Sequence, residues 1–369
     1  MEGSKKHCLD NTAQISSTGL IIRQMEPRNL EAPFDRIASY LTPTELFYIR
    51  SHFPTPDLDR ASYKLRIDGA VRHPFVLDYD ELRTMRSETR VATLECAGNS
   101  RVFLIPQAPG AQWELGAVGN AEWTGVPLRA LLDRAGLAEN ACEILLEGAD
   151  CGTPKEQPIP PGPISYARSL PRAKAIGPDV LIAYQMNGRD LPRDHGFPVR
   201  AIVPGHYAMA SVKWLTRIQA VHEPFQGYWQ TSDYAYWASM DGKPVRRALA
   251  EMKLKSEIAR PRVYETLAPN RIYPVSGAAW TGETDVTEIA VSTNGGQTWA
   301  LAEFLDPVRR HAWRRWKFDW LTPKEPGRYT LLARAKDAGG MLQPDEHDQN
   351  YGSYVINHSL PIEIFIDEI

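Results

Sequence analysis

Cys96 closes a short apolar run, Val91-Ala92-Thr93-Leu94, with Glu95 between, and is followed by Ala97-Gly98-Asn99. The run reads as a buried strand, and the small, turn-forming residues after it as a tight bend. A thiol at such a strand end has little side-chain bulk beyond it, so a large ligand can approach closely. Thiolate is a soft donor that suits soft or high-valent metal centres. Arg101, just past the bend, could set a cation against an anion at the same site. Taken alone, a free cysteine in this setting is more often a small buried hydrophobe. A second constellation spans Leu191 to Leu215, where Arg193, His195, Arg200, His206 and Lys213 stand among glycines, prolines and apolar strands. Cations on turns between strands can converge on one anion pocket, helped by free backbone N–H groups. Salt bridges along loop edges are the competing reading. A third is Arg50 with His52, where functional side chains compete with a surface arginine and a packing histidine.

The elements that must position these groups are partly readable. Pro43 to Arg50 predicts a helix, with Thr42 as a possible cap, running into a loop that Pro54 and Pro56 keep extended. Tyr63 to Gly69 alternates as a strand, and Asp78 to Met85 predicts a short helix. Val126 to Leu137 is an amphipathic helix closed by Gly136. Glu143 to Leu146 is a strand leading into Glu147-Gly148-Ala149-Asp150, and the Pro/Gly-rich stretch from Gly152 to Pro163 predicts a loop over a site. Val180 to Gly188 is a strand entering an Asn-Gly turn, and Ala201 to Val203 is another strand. From about residue 256 the pattern changes to short alternating strands. Asn294-Gly295-Gly296 marks a hairpin; Trp316, Phe318 and Trp320 share a face, as do Tyr329, Leu331, Ala333 and Ala335, and then Ile362, Ile364 and Ile366. This is the signature of an Ig-like β-sandwich.

A chain of 369 residues, 43% hydrophobic, is long enough for two cores. Three segments are expected: an N-terminal arm over residues 1–33, a catalytic domain over 34–255 and a sandwich over 256–369. The formal net charge of -3 points to neither nucleic acid nor an anionic membrane. No apolar run is long enough for a membrane span, and no secretory or twin-arginine leader is evident. Cys8, Cys96, Cys142 and Cys151 lack framework spacing and contain no Cys-x-x-Cys. Reduced thiols in a cytoplasmic compartment are expected; a periplasmic protein whose leader had been removed would read the same way.

Cys96-Ala97-Gly98-Asn99-Ser100-Arg101 resembles the Cys-Ala-Gly-Asn-Arg-Arg motif of the sulfite oxidase family, and other segments match that family in order. The resemblance implies an α+β molybdopterin-binding domain followed by an Ig-like all-β sandwich that forms a homodimer. Cys96 would be the ligand to molybdenum. Tyr48-Ile49-Arg50-Ser51-His52 looks like the first cofactor-contacting stretch, whose arginine also faces substrate. Arg101 and Trp113 match a substrate-pocket arginine and tryptophan, and Asp150 a loop aspartate bonded to the pterin. Arg193-Asp194-His195-Gly196-Phe197-Pro198-Val199-Arg200 is similar to a signature in which His195 and Arg200 contact the cofactor. Ser211-Val212-Lys213 matches a further cofactor segment, and Tyr234 an active-site tyrosine. The implied reaction is oxidation of sulfite to sulfate at molybdenum-molybdopterin, with electrons passing to oxygen or an external acceptor such as a cytochrome. No haem is expected in this chain: the arm is too short for a cytochrome b5-like domain, and no His-Pro-Gly-Gly occurs, as in haem-free plant and bacterial members. Two departures stand out. Ser100 replaces an arginine, and Trp280 to Asp285 carries no arginine where animal enzymes place one that reaches the substrate. The second leaves open a molybdenum oxidoreductase acting on another oxygen-atom donor or acceptor, such as a sulfoxide; a non-catalytic binding module is the weakest alternative.

Overall fold

The computed structural model describes residues 14–37 and 39–368; Cys8 lies outside them. Two antiparallel or mostly antiparallel sheets form the first half. One contains Glu88–Glu95, Val118–Pro127 and Leu181–Met186 side by side, with Arg189–Asp190 and Arg200–Ile202 both pairing with Leu181–Met186. The other runs Phe75–Asp78, Lys64–Gly69, Leu215–Val221, Glu143–Gly152 and Ile164–Pro171, with one parallel pair in its centre. The amphipathic helix appears as Leu128–Ala135, burying Leu128, Leu131, Leu132 and Ala135, with Gly136 left-handed at its end (φ +68°) as only glycine adopts readily. Asp78 caps Tyr79–Thr84 in a reciprocal capping box with Glu81.

The C-terminal strands form a sandwich of a four-stranded and a five-stranded sheet. Its core holds Val275, Trp316, Leu331 and Ile364, each completely buried, and Ile362 and Ile366 point the same way. The alternating positions of the sequence therefore mark true inward faces. The Asn294-Gly295-Gly296 turn joins Val286–Ser292 to Ala300–Leu301 as an antiparallel pair. Between the halves, Ala235–Met240 and Lys243–Ala248 make a separate two-stranded hairpin. Among the described residues no helix is long and apolar enough to cross a membrane.

Three expectations change. The stretch read as a weakly structured arm contains strands Ile21–Gln24 and Asn29–Glu31, and the second pairs with Ile49–Arg50. Its polar residues are satisfied inside the protein rather than solvated: Glu31, 1% exposed, accepts from the backbone N–H of Gly116 (2.7 Å) and Glu114 (3.1 Å) and from Arg23 Nε (2.6 Å). The helix expected over Pro43–Arg50 shrinks to one 3-10 turn, Thr44–Leu46, followed by extended backbone. Strand pairing of Ile49 with Leu30, and the packing of Phe47 edge-on against Trp123, override the local helical preference. Asp150 lies not in a loop but in the strand Glu143–Gly152, whose pairing with Ile164–Pro171 shifts register between Glu147 and Cys151. A bulge of this kind re-aims side chains beside a site.

Candidate active site

Where the two N-terminal sheets and the Ile49–Arg50 strand meet, a pocket opens, lined by both apolar and charged side chains. Cys96 lies at one wall, 6% exposed and not in a disulfide. Its backbone N–H donates to Ala117 (2.9 Å) and its carbonyl accepts from Asn99 (2.9 Å), so the tight bend read from the sequence is a closed, hydrogen-bonded turn. Asn99 ties the turn to its surroundings, accepting from Ala117 N–H at 3.0 Å and donating to Glu95 at 3.2 Å.

The opposite wall is cationic. Lys213 Nζ donates to Ser51 Oγ (3.0 Å) and to the Asp194 carbonyl (2.8 Å), and sits 4.1 Å from the centre of the Trp214 ring. Arg200 donates to the carbonyls of His195 and Ser211, both at 3.0 Å. Gly196, at φ +105°, lets these groups close in: a Cβ there would come within 2.9 Å of Arg200 Cβ and 3.2 Å of Lys213. Burial pulls the Lys213 ammonium down to about 7, with Arg200 adding to the effect and Asp150 opposing it. Burial likewise lowers Arg200 to about 10. Both cations are short of counter-charge, the condition for binding an anionic group such as a phosphate.

Asp150 supplies the opposite polarity. Its Oδ1 is buried without a hydrogen-bond partner, and burial lifts its carboxyl to about 6 against the pull of Lys213. A buried, unpaired acceptor of this kind calls for an N–H donor from a ligand. His195, packed edge-on against Phe47 at 5.6 Å, is pushed down to about 3 by burial and by Lys213 and Arg200. It is therefore neutral at physiological pH.

Arg50 and His52 face both this pocket and a wider cavity outside it. Arg50 Nη1 donates to Asn29 Oδ1 (3.2 Å) and to the Ser51 carbonyl, and no hydrogen bond commits its Nε or Nη2 among the described residues. Tyr234 OH and His52 Nε2 lie 2.8 Å apart, and the His52 ring stacks on Tyr166 at 4.9 Å. Tyr234 has φ +44°, a left-handed conformation that costs a bulky residue free energy and is held by the bonds from its N–H to Asp233 (2.9 Å) and from Leu249 N–H to its carbonyl (2.8 Å).

Of the expected site residues, Tyr48, Arg50, Ser51, His52, Cys96, Asp150, His195, Arg200, Ser211, Lys213 and Tyr234 line the pocket. Ile49 and Val212 belong to the cores behind it. Arg101 does not line it either. Its guanidinium donates to the carbonyls of Ser353 and Ala111, both at 3.0 Å, and lies over Tyr354. Gly98 and Gly110 make the socket, since a Cβ on either would fall 2.2 or 2.6 Å from the guanidinium. Trp113 is fully buried in the core behind Cys96, its Nε1 without a partner. Sequence reasoning missed Asn29, Tyr166, Asp194, Met209 and Trp214. Asp194 stood inside a segment already singled out, whereas nothing local marks Asn29, whose role arises from pairing across the sheet.

The pKa shift of His195 has a testable sign. An unfolded histidine takes a proton near 6.5, the folded one only near 3, so between those values the unfolded chain binds more protons and this group lowers stability as pH falls. Side-chain NMR should show His195 neutral from pH 8 down to 5; a midpoint near 6.5 would mean that the pocket is wetter than its packing implies.

The pocket fits a metal-bearing cofactor with an anionic tail: a thiol for the metal, an orphaned carboxyl oxygen for ring N–H groups, and two under-compensated cations for a phosphate. Family models agree with this chemistry. Residues 52–229 match the oxidoreductase molybdopterin binding domain, and residues 246–364 the Mo-co oxidoreductase dimerisation domain. The chain is 36% identical to sulfite oxidase of Gallus gallus over 348 residues, covering 89% of this chain and 73% of that protein. It is 32% identical to sulfite oxidase of Arabidopsis thaliana, covering 77% and 75%. Against the mitochondrial sulfite oxidase of Homo sapiens, at 34% identity, it spans only 62% of the relative's length. The sulfane dehydrogenase SoxCD of Paracoccus pantotrophus is similar in structure, with a TM-score of 0.80, 25% identity, and 98% of this chain and 93% of that one covered.

Proposed function

The chain belongs to the sulfite oxidase family of molybdopterin-dependent oxidoreductases, and on that premise we propose that it oxidises sulfite to sulfate. The observation that carries the reading is the meeting in one pocket of the Cys96 thiol and Arg50, whose Nε and Nη2 carry no hydrogen bond among the described residues. Cys96 would hold the molybdenum, Asp150 the pterin N–H groups, and Arg200 and Lys213 the phosphate. When bound, the cofactor supplies the oxygen-atom transfer and two-electron redox chemistry.

The protein's own contribution is orientation and charge. Arg50 presents a planar donor fork to an oxyanion arriving through the outer cavity. Tyr234, paired with His52, offers a hydroxyl at the boundary between the pocket and that cavity, where a proton can be held or passed on. Burial keeps His52 far below the usual imidazole range, assisted by Arg50 and Lys213, so its ring enters the pair neutral. Electrons leave to oxygen or to an external carrier such as a cytochrome, and the dimerisation-domain match supports a homodimer.

A second reading has its own observation. Thr281 to Asp285 does not line the pocket; Glu283 there is held by Lys174 (2.6 Å) and Arg310 (3.0 Å). Arg101 does not line the pocket either, so a small doubly charged oxyanion meets fewer cations there than expected. This favours a different sulfur substrate on the same cofactor. Steady-state reduction of ferricyanide by molybdenum-loaded protein separates the two. Robust sulfite-dependent turnover supports the first; none, with molybdenum confirmed bound, rejects sulfite and favours the second.

A further inference from the structure

The turn carrying Cys96 is gripped from behind by the sandwich. Glu95 and Ser100, on either side of it, are 2% and 0% exposed. Lys255, 1% exposed on the sandwich's first strand, brings Nζ to 3.2 Å from Glu95 Oε1 and 2.9 Å from Ser100 Oγ. Glu257, on the same face of that strand, lies 3.1 Å from Lys255 Nζ and accepts from Ser100 Oγ at 3.2 Å. Trp280 Nε1 donates to the other oxygen of Glu95 at 2.8 Å, and Val355 N–H to the Ala97 carbonyl at 2.8 Å.

A cation between two carboxylates, all out of water, is a poor source of net stability because desolvation offsets attraction. What such a cluster does well is fix geometry, since any displacement leaves a buried charge unpaired. Ser100 shows the effect. It holds φ +72°, unfavourable for a residue with a Cβ, and both of its hydroxyl contacts are to the sandwich. Serine here stands where the motif that the segment resembles has an arginine. Lys255 already places a cation at that point from the other domain, and a second one would be repelled.

We propose that Lys255 and Glu257 are positioning residues for Cys96, so that the sandwich completes the metal-ligand turn as well as serving the dimer. The proposal rests on Cys96 as the metal ligand. Its first readout needs neither substrate nor cofactor: the rate at which iodoacetamide alkylates Cys96 in cofactor-free protein, read on its own peptide by mass spectrometry. Lys255→Met/Glu257→Gln keeps the bulk and removes the paired charges. Alkylation of Cys96 should accelerate roughly tenfold, molybdenum retention after loading should fall in parallel, and Lys255→Arg should stay close to wild type in both. Lys174→Met, which cuts the separate Lys174–Glu283 pair, is the control. A wild-type alkylation rate in the folded double variant overturns the proposal, as does equal acceleration by Lys174→Met, which would mean general loosening. If the double variant does not fold, Ser100→Ala takes its place: its Cys96 must alkylate faster than wild type, and an unchanged rate overturns the proposal. Absence of sulfite turnover in wild-type protein that binds molybdenum would count against the substrate alone.

Discussion

Cys96→Ser is expected to lose at least roughly a thousandfold in turnover of molybdenum-loaded protein, about 4 kcal/mol in barrier terms, while the fold stays intact. The substitution is nearly isosteric, and Cys96 Sγ makes no hydrogen bond among the described residues that the change would remove. The turn is closed by backbone bonds of Cys96 with Ala117 and Asn99, which a serine keeps. What changes is the donor atom: a neutral hydroxyl is a poor replacement for a thiolate at a soft or high-valent metal. Circular dichroism and thermal melting should therefore be close to wild type while activity disappears. Full sulfite activity in this variant would remove Cys96 from the site and, with it, the reading of the pocket as a metal centre.

Arg50→Met should act on the substrate and spare the cofactor. A charge-assisted hydrogen bond contributes about 1.5–3 kcal/mol, so KM for an anionic substrate should rise roughly 10–150-fold, with molybdenum content unchanged. Asn29 would lose one partner but keep its bond from Ser51 N–H at 3.1 Å, so the Ile49–Arg50 strand should hold. KM should rise with salt for wild type and stay flat for the variant, since only the former relies on an ionic contact partly screened by solvent. An unchanged KM would place the substrate elsewhere, with Lys155 of the outer cavity the next cation to consider.

Periodicity made the strands and the amphipathic helix legible because each buries one face, as Ile362, Ile364 and Ile366 do. The family motifs pointed to a set of candidate residues, and one pocket gathers most of them. The failures share a cause. Pro43 to Arg50 has helical punctuation, yet its conformation is set by Leu30 and Trp123, residues far away in sequence. Arg101, which the family motif matches to a substrate-pocket arginine, sits in a socket that Gly98 and Gly110 open and that turns it toward Ser353. Asn29 and Lys255 were invisible for the same reason: each works on a residue from another part of the chain, and no local pattern announces a partner across a sheet or a domain boundary.

The hairpin that contributes Asn29 has a practical consequence for protein engineering. Boundaries drawn where the molybdopterin-domain match begins, at residue 52, would discard Asn29, Glu31 and Arg50 together, and Lys213 would lose its partner Ser51. A truncated gene cut there would encode most of the pocket lining without the strand that presents Arg50. Chimeras between relatives should therefore exchange the first fifty residues and the catalytic body as one cassette, with crossovers placed outside the hairpin.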